Sequence, residues 1–265
     1  MATKQFDPHH TLVSSYLIPP SALGAIRLLI AVYVLAGLIF MLVWGGVKTK
    51  DLDSFFSYFT NLGYIGICAY FFASGTQTLA YARNLRILAG LGAMEPTAEE
   101  VRYPLQKAPR FLRYLYVLLL STVITFPILV TVVYWTLIAS SSSFSSAYIT
   151  WSNVTKHILN SVFALFEILL TNTTPMPWID LPATLVMLIG YLGVAYITHQ
   201  TQGFYTYSFL DPGKSGKKKL AAYIVGIAVG QCVTFCVVRL VISIRSRVVR
   251  KRVEAEETRG GAISY

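Results

Sequence analysis

Long apolar stretches, separated by shorter polar or proline-rich segments, dominate this chain of 265 residues. A helix rises 1.5 Å per residue, so about 20 apolar residues suffice to cross a hydrocarbon layer of about 30 Å. The pattern therefore predicts an all-α fold, a polytopic integral membrane helical bundle with six transmembrane helices. We expect these helices at about residues 25–44, 55–81, 114–138, 157–170, 182–198 and 220–244.

The polar segments at the two ends divide the chain into three predicted parts. Residues 1–20 are expected to form a polar N-terminal tail, and residues 21–244 the six-helix transmembrane domain. Residues 245–265 are expected to form a basic cytosolic tail. By composition neither tail is expected to be ordered, so His9 and His10 should be solvated.

Two features of the predicted helices involve charged or polar residues near their ends. Arg27 lies near the start of the first helix, where its long side chain is expected to reach out to the lipid surface. The helix at 157–170 rises only about 21 Å. It is therefore expected to be short, with its polar first turn below the lipid headgroups and a loop before it at 139–156.

Composition supports a membrane protein. Hydrophobic residues make up 55% of the chain and charged residues 13%, whereas a soluble domain has about 25% charged residues. The net charge of +10 could indicate nucleic acid as a partner, but the basic residues lie in short loops and near the C-terminus. They are typical of topology determinants beside anionic lipid, so the lipid bilayer is the expected partner and nucleic acid is not.

The distribution of basic residues also predicts an orientation. Six helices place both termini on one side of the membrane, and cytosolic termini put most of the 22 lysines and arginines in the cytosol. We expect a multi-pass protein of an endomembrane such as the endoplasmic reticulum, or of the plasma membrane. The three cysteines lie in apolar runs without the spacing of a metal site, so no metal and no cofactor are expected. Nothing in the sequence specifies an oligomer.

Candidate chemistry follows from the alternating direction of the helices. Thr60 and Asn61 lie near the start of the second helix, His157 and Asn160 at the start of the fourth, and His199 at the end of the fifth. These ends should therefore lie at one level. A hydroxyl group and an imidazole at the same level are the groups that acyl transfer requires. The alternatives are a threonine that bonds its own helix backbone and a histidine that caps its helix.

Further polar residues are candidates for binding or orienting a substrate. Tyr64 extends the polar face of the second helix, and Asn160 could donate to an oxyanion or pack structurally. Glu167 follows Asn160 on one helix face about 10 Å deeper, where it should pair with another helix or stay protonated. His199 and Asp211 are expected to orient the site or to lie at its rim.

Three short motifs stand out: Tyr58-Phe59-Thr60-Asn61, His157-x-x-Asn160 and the tyrosine-rich stretch Tyr205-Thr206-Tyr207-Ser208-Phe209-Leu210-Asp211. In these motifs the chain resembles the androgen-induced (FAR-17a-like) family of six-span membrane proteins and the related rolling-stone proteins, and within them a fungal-type member. The resemblance covers the hydropathy pattern over about residues 25–244. Animal members of that family are threonine hydrolases that cleave fatty acid esters of hydroxy fatty acids. The resemblance implies Thr60 as nucleophile, His157 as general base and an acyl lipid as substrate.

Two other functions fit the same residues. In a non-enzymatic membrane scaffold, or a lipid-binding or transport protein, the polar groups would only hold helices together. A proton-coupled carrier would use His157 and Glu167. The sequence shows neither the inverted repeat nor the pair of discontinuous helices that are common in carriers, and this disfavours the carrier.

Overall fold

The computed structural model describes residues 5–91 and 101–261, with side chains up to Ala255. Within these residues the chain is all-helical and has no strand, which confirms the predicted fold class. The α-helices, numbered in chain order, are α1 (Pro20–Trp44), α2 (Phe59–Gly90), α3 (Pro104–Lys107), α4 (Arg110–Val133), α5 (Ala147–Val154), α6 (Asn160–Leu170), α7 (Asp180–Gln202) and α8 (Pro212–Gly261).

Among the residues described, four helical segments are long and apolar enough to cross a membrane, so the protein is membrane-embedded. They are Pro20–Thr49, Arg110–Ile138, Asp180–Gln202 and Pro212–Ala255. Much of their apolar surface points outward, as at Leu29, Ile189 and Leu240, which are 58–70% exposed. Such surface is stable where lipid covers it.

The fourth predicted helix is part of a longer helical rod, which is not one of these four segments and begins earlier than the sequence predicts. Helix α5, a π-turn at Thr155–Leu159 and helix α6 are continuous, so the predicted loop at 139–156 and the short helix at 157–170 are wrong. The rod starts where the Ser146 side chain accepts a hydrogen bond from the Ile149 backbone. Its polar residues Ser152, Thr155 and His157 are buried against other helices. They lower the local hydropathy without ending the helix.

A buried ion pair joins α1 to α6. Arg27 Nε donates to Glu167 Oε1 at 2.8 Å and Arg27 Nη2 donates to Glu167 Oε2 at 2.7 Å. Arg27 Nη1 also donates to the Leu12 carbonyl and to Thr78 Oγ1. The prediction that Arg27 reaches the lipid surface is wrong, because its side chain is fully buried. The alternative in which Glu167 pairs with another helix is confirmed.

The N-terminal segment packs against the bundle instead of being solvated. Asp7 accepts hydrogen bonds from Thr11 and Leu12, and also from the Tyr103 hydroxyl at 2.7 Å. His10 is only 5% exposed, and its ring lies 4.8 Å from that of Tyr81. Residues 5–19 are therefore part of the folded protein, and the expectation that His10 is solvated is wrong.

Both terminal parts of the described chain lie at the same end of the bundle. The Ser14 carbonyl accepts from the Asn172 backbone N–H at 3.0 Å. Arg245, from the far part of α8, donates to the carbonyls of Thr171 and Thr173 in the same loop. Helix α8 continues to Gly261, so most of the predicted disordered tail at 245–265 is helical.

A second buried polar cluster ties α4, α7 and α8 together. Ser121 Oγ donates to Asp180 Oδ2 at 2.6 Å. One turn further along both helices, Gln231 Nε2 donates to Thr125 Oγ1 and to Thr184 Oγ1, each at 3.2 Å. These bonds pair the hydroxyl and amide donors where lipid could not hydrate them, and they hold the three helices together.

We expect Arg27→Met to destabilise the protein by about 3–5 kcal/mol, because it leaves the buried Glu167 carboxylate unpaired. The double variant Arg27→Met/Glu167→Leu should recover most of this loss, since no lone charge remains. Chemical unfolding of the purified protein in detergent measures both. The control is Arg250→Gln, which removes an exposed pair with Glu254 and should cost less than about 1 kcal/mol. Equal stability of Arg27→Met and the wild type would contradict the assigned role.

Docking of the N-terminal segment should weaken in acid. Burial lowers the pKa of His10 below its usual value near 6.5, although the Asp7 carboxylate opposes the shift. Below about pH 6.5 the released segment therefore takes up a proton more readily than the docked one, and docking loses free energy. A spin label on His9→Cys, in a background without Cys232 and Cys236, should become more mobile between pH 7.5 and 5.5. The same label in a His10→Phe background should show no such pH dependence.

Candidate functional site

Thr60 lies in the first turn of α2. The backbone at Tyr58 is extended (φ −97°, ψ 127°), so the preceding 3₁₀ turn at Leu52–Ser57 ends there and the helix begins at Phe59. The Asn61 side chain holds this junction by donating to the Phe55 carbonyl at 2.8 Å. Thr60 is 9% exposed and faces the interior of the bundle.

His157 lies in the π-turn between α5 and α6, not at the mouth of its helix. Its ring stacks on Tyr134, with centroids 3.6 Å apart and planes 4° apart. The His157 carbonyl accepts a hydrogen bond from the Thr131 hydroxyl. Its ring nitrogen Nδ1 is buried without a hydrogen-bond partner. The predicted alternative, a histidine that caps the start of its helix, is wrong.

Thr60 and His157 together line two adjoining cavities. One, here called the apolar chamber, has a volume of about 250 Å³, and the other, the polar chamber, about 310 Å³. Both chambers also share Tyr134, Ile138 and Tyr207. The rest of the apolar chamber includes Val130, Leu188, Leu192, Ile224 and Ile227, whereas the polar chamber includes Asp51, Asn61, Asn153, Lys156 and Thr206.

A third cavity, of about 240 Å³, extends the apolar space around Thr60. Asn160 lines it together with Phe59, Phe126 and Tyr191. Asn160 Nδ2 donates to the Lys156 carbonyl at 2.9 Å, and its Oδ1 is buried without a partner. Asn160 is thus close to the predicted site, with its amide group already engaged by the turn before it.

Tyr207 is a member of the site that sequence reasoning did not single out. Tyr207 lines both chambers together with Thr60. Burial raises the pKa of Tyr207 well above its usual value, so the phenol is neutral and keeps its proton. The one signal in the sequence was its position in the tyrosine-rich stretch after the fifth predicted helix.

Two of the predicted binding residues, Asn61 and Tyr64, contact neighbouring helices. Asn61 Oδ1 accepts from Lys156 Nζ at 3.4 Å and lines the polar chamber. Tyr64 is fully buried against Gly37, where a Cβ atom would come within 2.8 Å of the tyrosine hydroxyl. Tyr64 is not among the residues that line the chambers, and its contact with Gly37 is one of close helix packing.

The remaining predicted residues lie away from Thr60. His199 stacks on Tyr205 with ring centroids 3.8 Å apart. Asp211 Oδ1 accepts from the Gly213 backbone N–H at 2.8 Å, at the start of α8. Neither residue lines the two chambers. Glu167 pairs with Arg27 ten residues beyond His157 along the rod, so the structure does not bring it to the site.

The end of α7 and the start of α2 meet at one level, as the alternating directions predict, whereas the fourth predicted helix reaches this level inside its rod, at Lys156. Thr198 Oγ1 donates to Ser57 Oγ at 3.0 Å, and Tyr191 donates to the Ser57 carbonyl at 3.0 Å. These bonds join the end of α7 to the residues just before α2. The Lys156–Asn61 bond joins the fourth rod to the same place.

Protein-family models, curated proteins and solved structures were compared with the chain, and none of them matches. Membership of the androgen-induced family therefore stays a prediction. In the described part of the chain, no three histidine, cysteine, aspartate or glutamate side chains cluster as metal ligands would. The chemistry available at the chambers is that of a threonine hydroxyl, an imidazole, phenols, an ammonium group and the exposed carboxylate of Asp51.

Proposed function

We propose that this protein is an integral membrane threonine hydrolase of the androgen-induced type, which cleaves lipid esters such as fatty acid esters of hydroxy fatty acids. The observation that carries the proposal is that Thr60 and His157 line both the apolar and the polar chamber. A lipid ester is likewise part apolar and part polar, because an apolar acyl chain lies on one side of its carbonyl. With the chain in the apolar chamber, the carbonyl lies at the boundary beside Thr60.

In this proposal Thr60 Oγ attacks the ester carbonyl and its proton passes to His157. The tetrahedral intermediate collapses, the alcohol leaves with the proton from His157, and an acyl-threonine remains. His157 then deprotonates a water molecule that attacks the acyl group, and Thr60 and a free acid are regenerated. The neutral Tyr207 hydroxyl beside Thr60 is placed to donate to the developing oxyanion.

The proposed base is oriented by packing instead of by a carboxylate. The stack on Tyr134 fixes the plane of the His157 ring, and the bond from Thr131 fixes its backbone. The unpartnered Nδ1 is a nitrogen that can accept a proton without first breaking a hydrogen bond. This supports a base role and also predicts a modest catalyst, because no described carboxylate stabilises the imidazolium.

The proposal includes six membrane crossings with cytosolic termini, in the endoplasmic reticulum or the plasma membrane. Support comes from the contacts of Ser14 and Arg245 with one loop, because an even number of crossings brings both termini to the same end of the bundle. Helix α2 and the α5–α6 rod are less apolar than the four candidate spans. They bury their polar residues, among them Asn61 and Glu167, against neighbouring helices, so lipid need not solvate these groups.

A non-enzymatic lipid-binding protein is the second candidate. The apolar chamber alone would accommodate an acyl chain, and among the described ion pairs none involves His157, which favours this function. A proton-coupled carrier that uses Glu167 has less support, because both oxygens of that carboxylate are held by Arg27. The hydrolase is preferred since it alone accounts for a threonine, a histidine and a tyrosine gathered around one boundary.

The hydrolase proposal predicts that a lipophilic serine/threonine-hydrolase probe labels the purified protein. Thr60→Ala should abolish labelling, and Thr60→Ser should retain it. His157→Ala should slow labelling by about 10²- to 10⁴-fold, the usual contribution of a general base. Thr76→Ala is the matched control, because Thr76 is an exposed threonine on the same helix. Gel fluorescence of the labelled protein measures all four.

The lipid-binding alternative makes the opposite prediction for the same measurements. Wild-type protein that is folded, neither labels nor hydrolyses an ester, and still binds a fatty acid would overturn the hydrolase. Labelling that survives in Thr60→Ala but is lost in another hydroxyl variant would overturn the assignment of the nucleophile. Thermal unfolding of each variant separates loss of chemistry from loss of the fold.

The orientation has its own test. His9 and Ser142 are both exposed and lie on opposite sides of the membrane in the six-crossing arrangement. In sealed, cytosol-side-out microsomes an impermeant maleimide should label His9→Cys at once. It should label Ser142→Cys only after the membrane is permeabilised. Immediate labelling of both positions would exclude an odd number of crossings between them, and the reverse pattern would invert the protein.

A further inference from the structure

The polar chamber contains a lysine that lacks an acidic partner. Lys156 lines the chamber, and its Nζ donates to Asn61 Oδ1 at 3.4 Å. Among the residues whose side chains are described, the ion pairs within 4.0 Å are Arg27–Glu167 and Arg250–Glu254, and neither involves Lys156. The ammonium group thus has a weak neutral acceptor and, among these residues, no ion-pair partner within 4.0 Å.

One carboxylate, that of Asp51, lines the same chamber as Lys156. Asp51 is exposed, and its Oδ1 accepts a hydrogen bond from Thr49 at 2.5 Å. A charged group inside a protein is costly unless it is paired and hydrogen-bonded. The Lys156 ammonium group has no such pair among the described side chains, and the chamber volume of about 310 Å³ is large enough to hold an anionic group beside it.

The surrounding side chains would assist such an anion. Tyr58, Asn153 and Thr206 line the same chamber and carry hydrogen-bond donors. Asn153 Nδ2 already donates to the Ser143 carbonyl at 3.0 Å, so its amide group is held in place by the loop above it. Lys156 therefore supplies the positive charge for binding an anion, and these neighbours make the chamber wall around it polar.

We propose that the polar chamber binds the anionic head group of an acyl lipid, a carboxylate or a phosphate, through Lys156 Nζ, while the acyl chain occupies the apolar chamber. The two chambers adjoin, because they share Thr60, His157 and Tyr207. One amphiphilic ligand can therefore extend from one chamber into the other. As a statement about substrate, the inference rests on the proposed function and narrows it to esters that also carry a free anionic group.

The chemistry explains why lysine suits this position. An ammonium group is a compact charge on a flexible stem, and it binds a carboxylate or phosphate without demanding one geometry. A hydrogen bond between ionised partners is stronger than one between neutral groups. A lipid with an esterified, neutral end would leave Lys156 unpaired, so the chamber should discriminate against it.

The test measures binding in a Thr60→Ala background, in which no turnover can occur. The protein is reconstituted in nanodiscs, and three unlabelled lipids compete against a fluorescent fatty acid: oleic acid, methyl oleate and a monoacyl glycerol phosphate. We expect Lys156→Met to weaken binding of the anionic lipids by about 10- to 100-fold, as the loss of a charged hydrogen bond does. Binding of methyl oleate should change by less than about twofold.

Two further variants make the result specific. Lys156→Arg should retain most of the preference for anionic lipid, because it keeps the charge. Lys214→Met, which removes an exposed lysine at the start of α8, should leave all three affinities unchanged. The tighter binder among oleic acid and the monoacyl glycerol phosphate identifies the head group as carboxylate or phosphate.

Several outcomes would overturn the inference. Equal affinities for oleic acid and methyl oleate in the Thr60→Ala protein would do so, even if the Lys156 variants do not fold. So would an unchanged preference for anionic lipid in folded Lys156→Met. The proposed hydrolase fails separately: an unreactive wild type that still shows Lys156-dependent binding of oleic acid would end the enzyme proposal and leave the anion site standing.

Discussion

The bidentate pair between Arg27 and Glu167 is the interaction on which the rest of the structure depends. The guanidinium group uses its remaining donors on the Leu12 carbonyl and Thr78, so one buried side chain joins α1, α2, α6 and the N-terminal segment. In a bilayer there is no water to hydrate either charge, and separating the pair would strand both. The pair therefore fixes how these four elements pack at its end of the bundle.

The position of the Arg27–Glu167 pair also determines where the two chambers can form. Glu167 and His157 lie on one helical rod, ten residues and about 15 Å apart. Fixing Glu167 against Arg27 therefore sets the depth and the rotation of the turn that carries His157. The position of Thr60 depends on other features: the extended backbone at Tyr58 before α2, and the hydrogen bond from the Asn61 side chain to the Phe55 carbonyl. The two chambers lie where these independently positioned turns come together.

Periodicity and hydropathy predict a part of this arrangement and miss the rest for definite reasons. Thr60 and His157 share a chamber, but not for the predicted reason, because His157 lies ten residues inside its rod. The four most apolar helices follow from apolar run length alone. The start of the fourth rod at Ala147 does not, since inward-facing Ser152 and Thr155 look like loop residues in a linear sequence. The docked N-terminal segment is equally hidden, because Asp7 finds its partner Tyr103 far along the chain. The partners of Arg27 and the place of Lys156 in a chamber likewise depend on contacts between distant residues.

The π-turns of the helices are concentrated at the end of the bundle that contains the polar chamber. Among the described residues, π-turns occur at Gly45–Thr49, Tyr134–Ile138 and Thr155–Leu159. Each contributes to the polar chamber, through Gly45, through Tyr134 and Ile138, and through Lys156 and His157. A π-turn inserts an extra residue and widens the helix, at a cost in hydrogen-bond geometry, and it is found most often at functional sites. Three such turns surround the polar chamber, whereas the helices around the Arg27–Glu167 pair are regular. The end of the bundle with the ion pair is therefore built for packing, and the end with the chamber for holding a ligand.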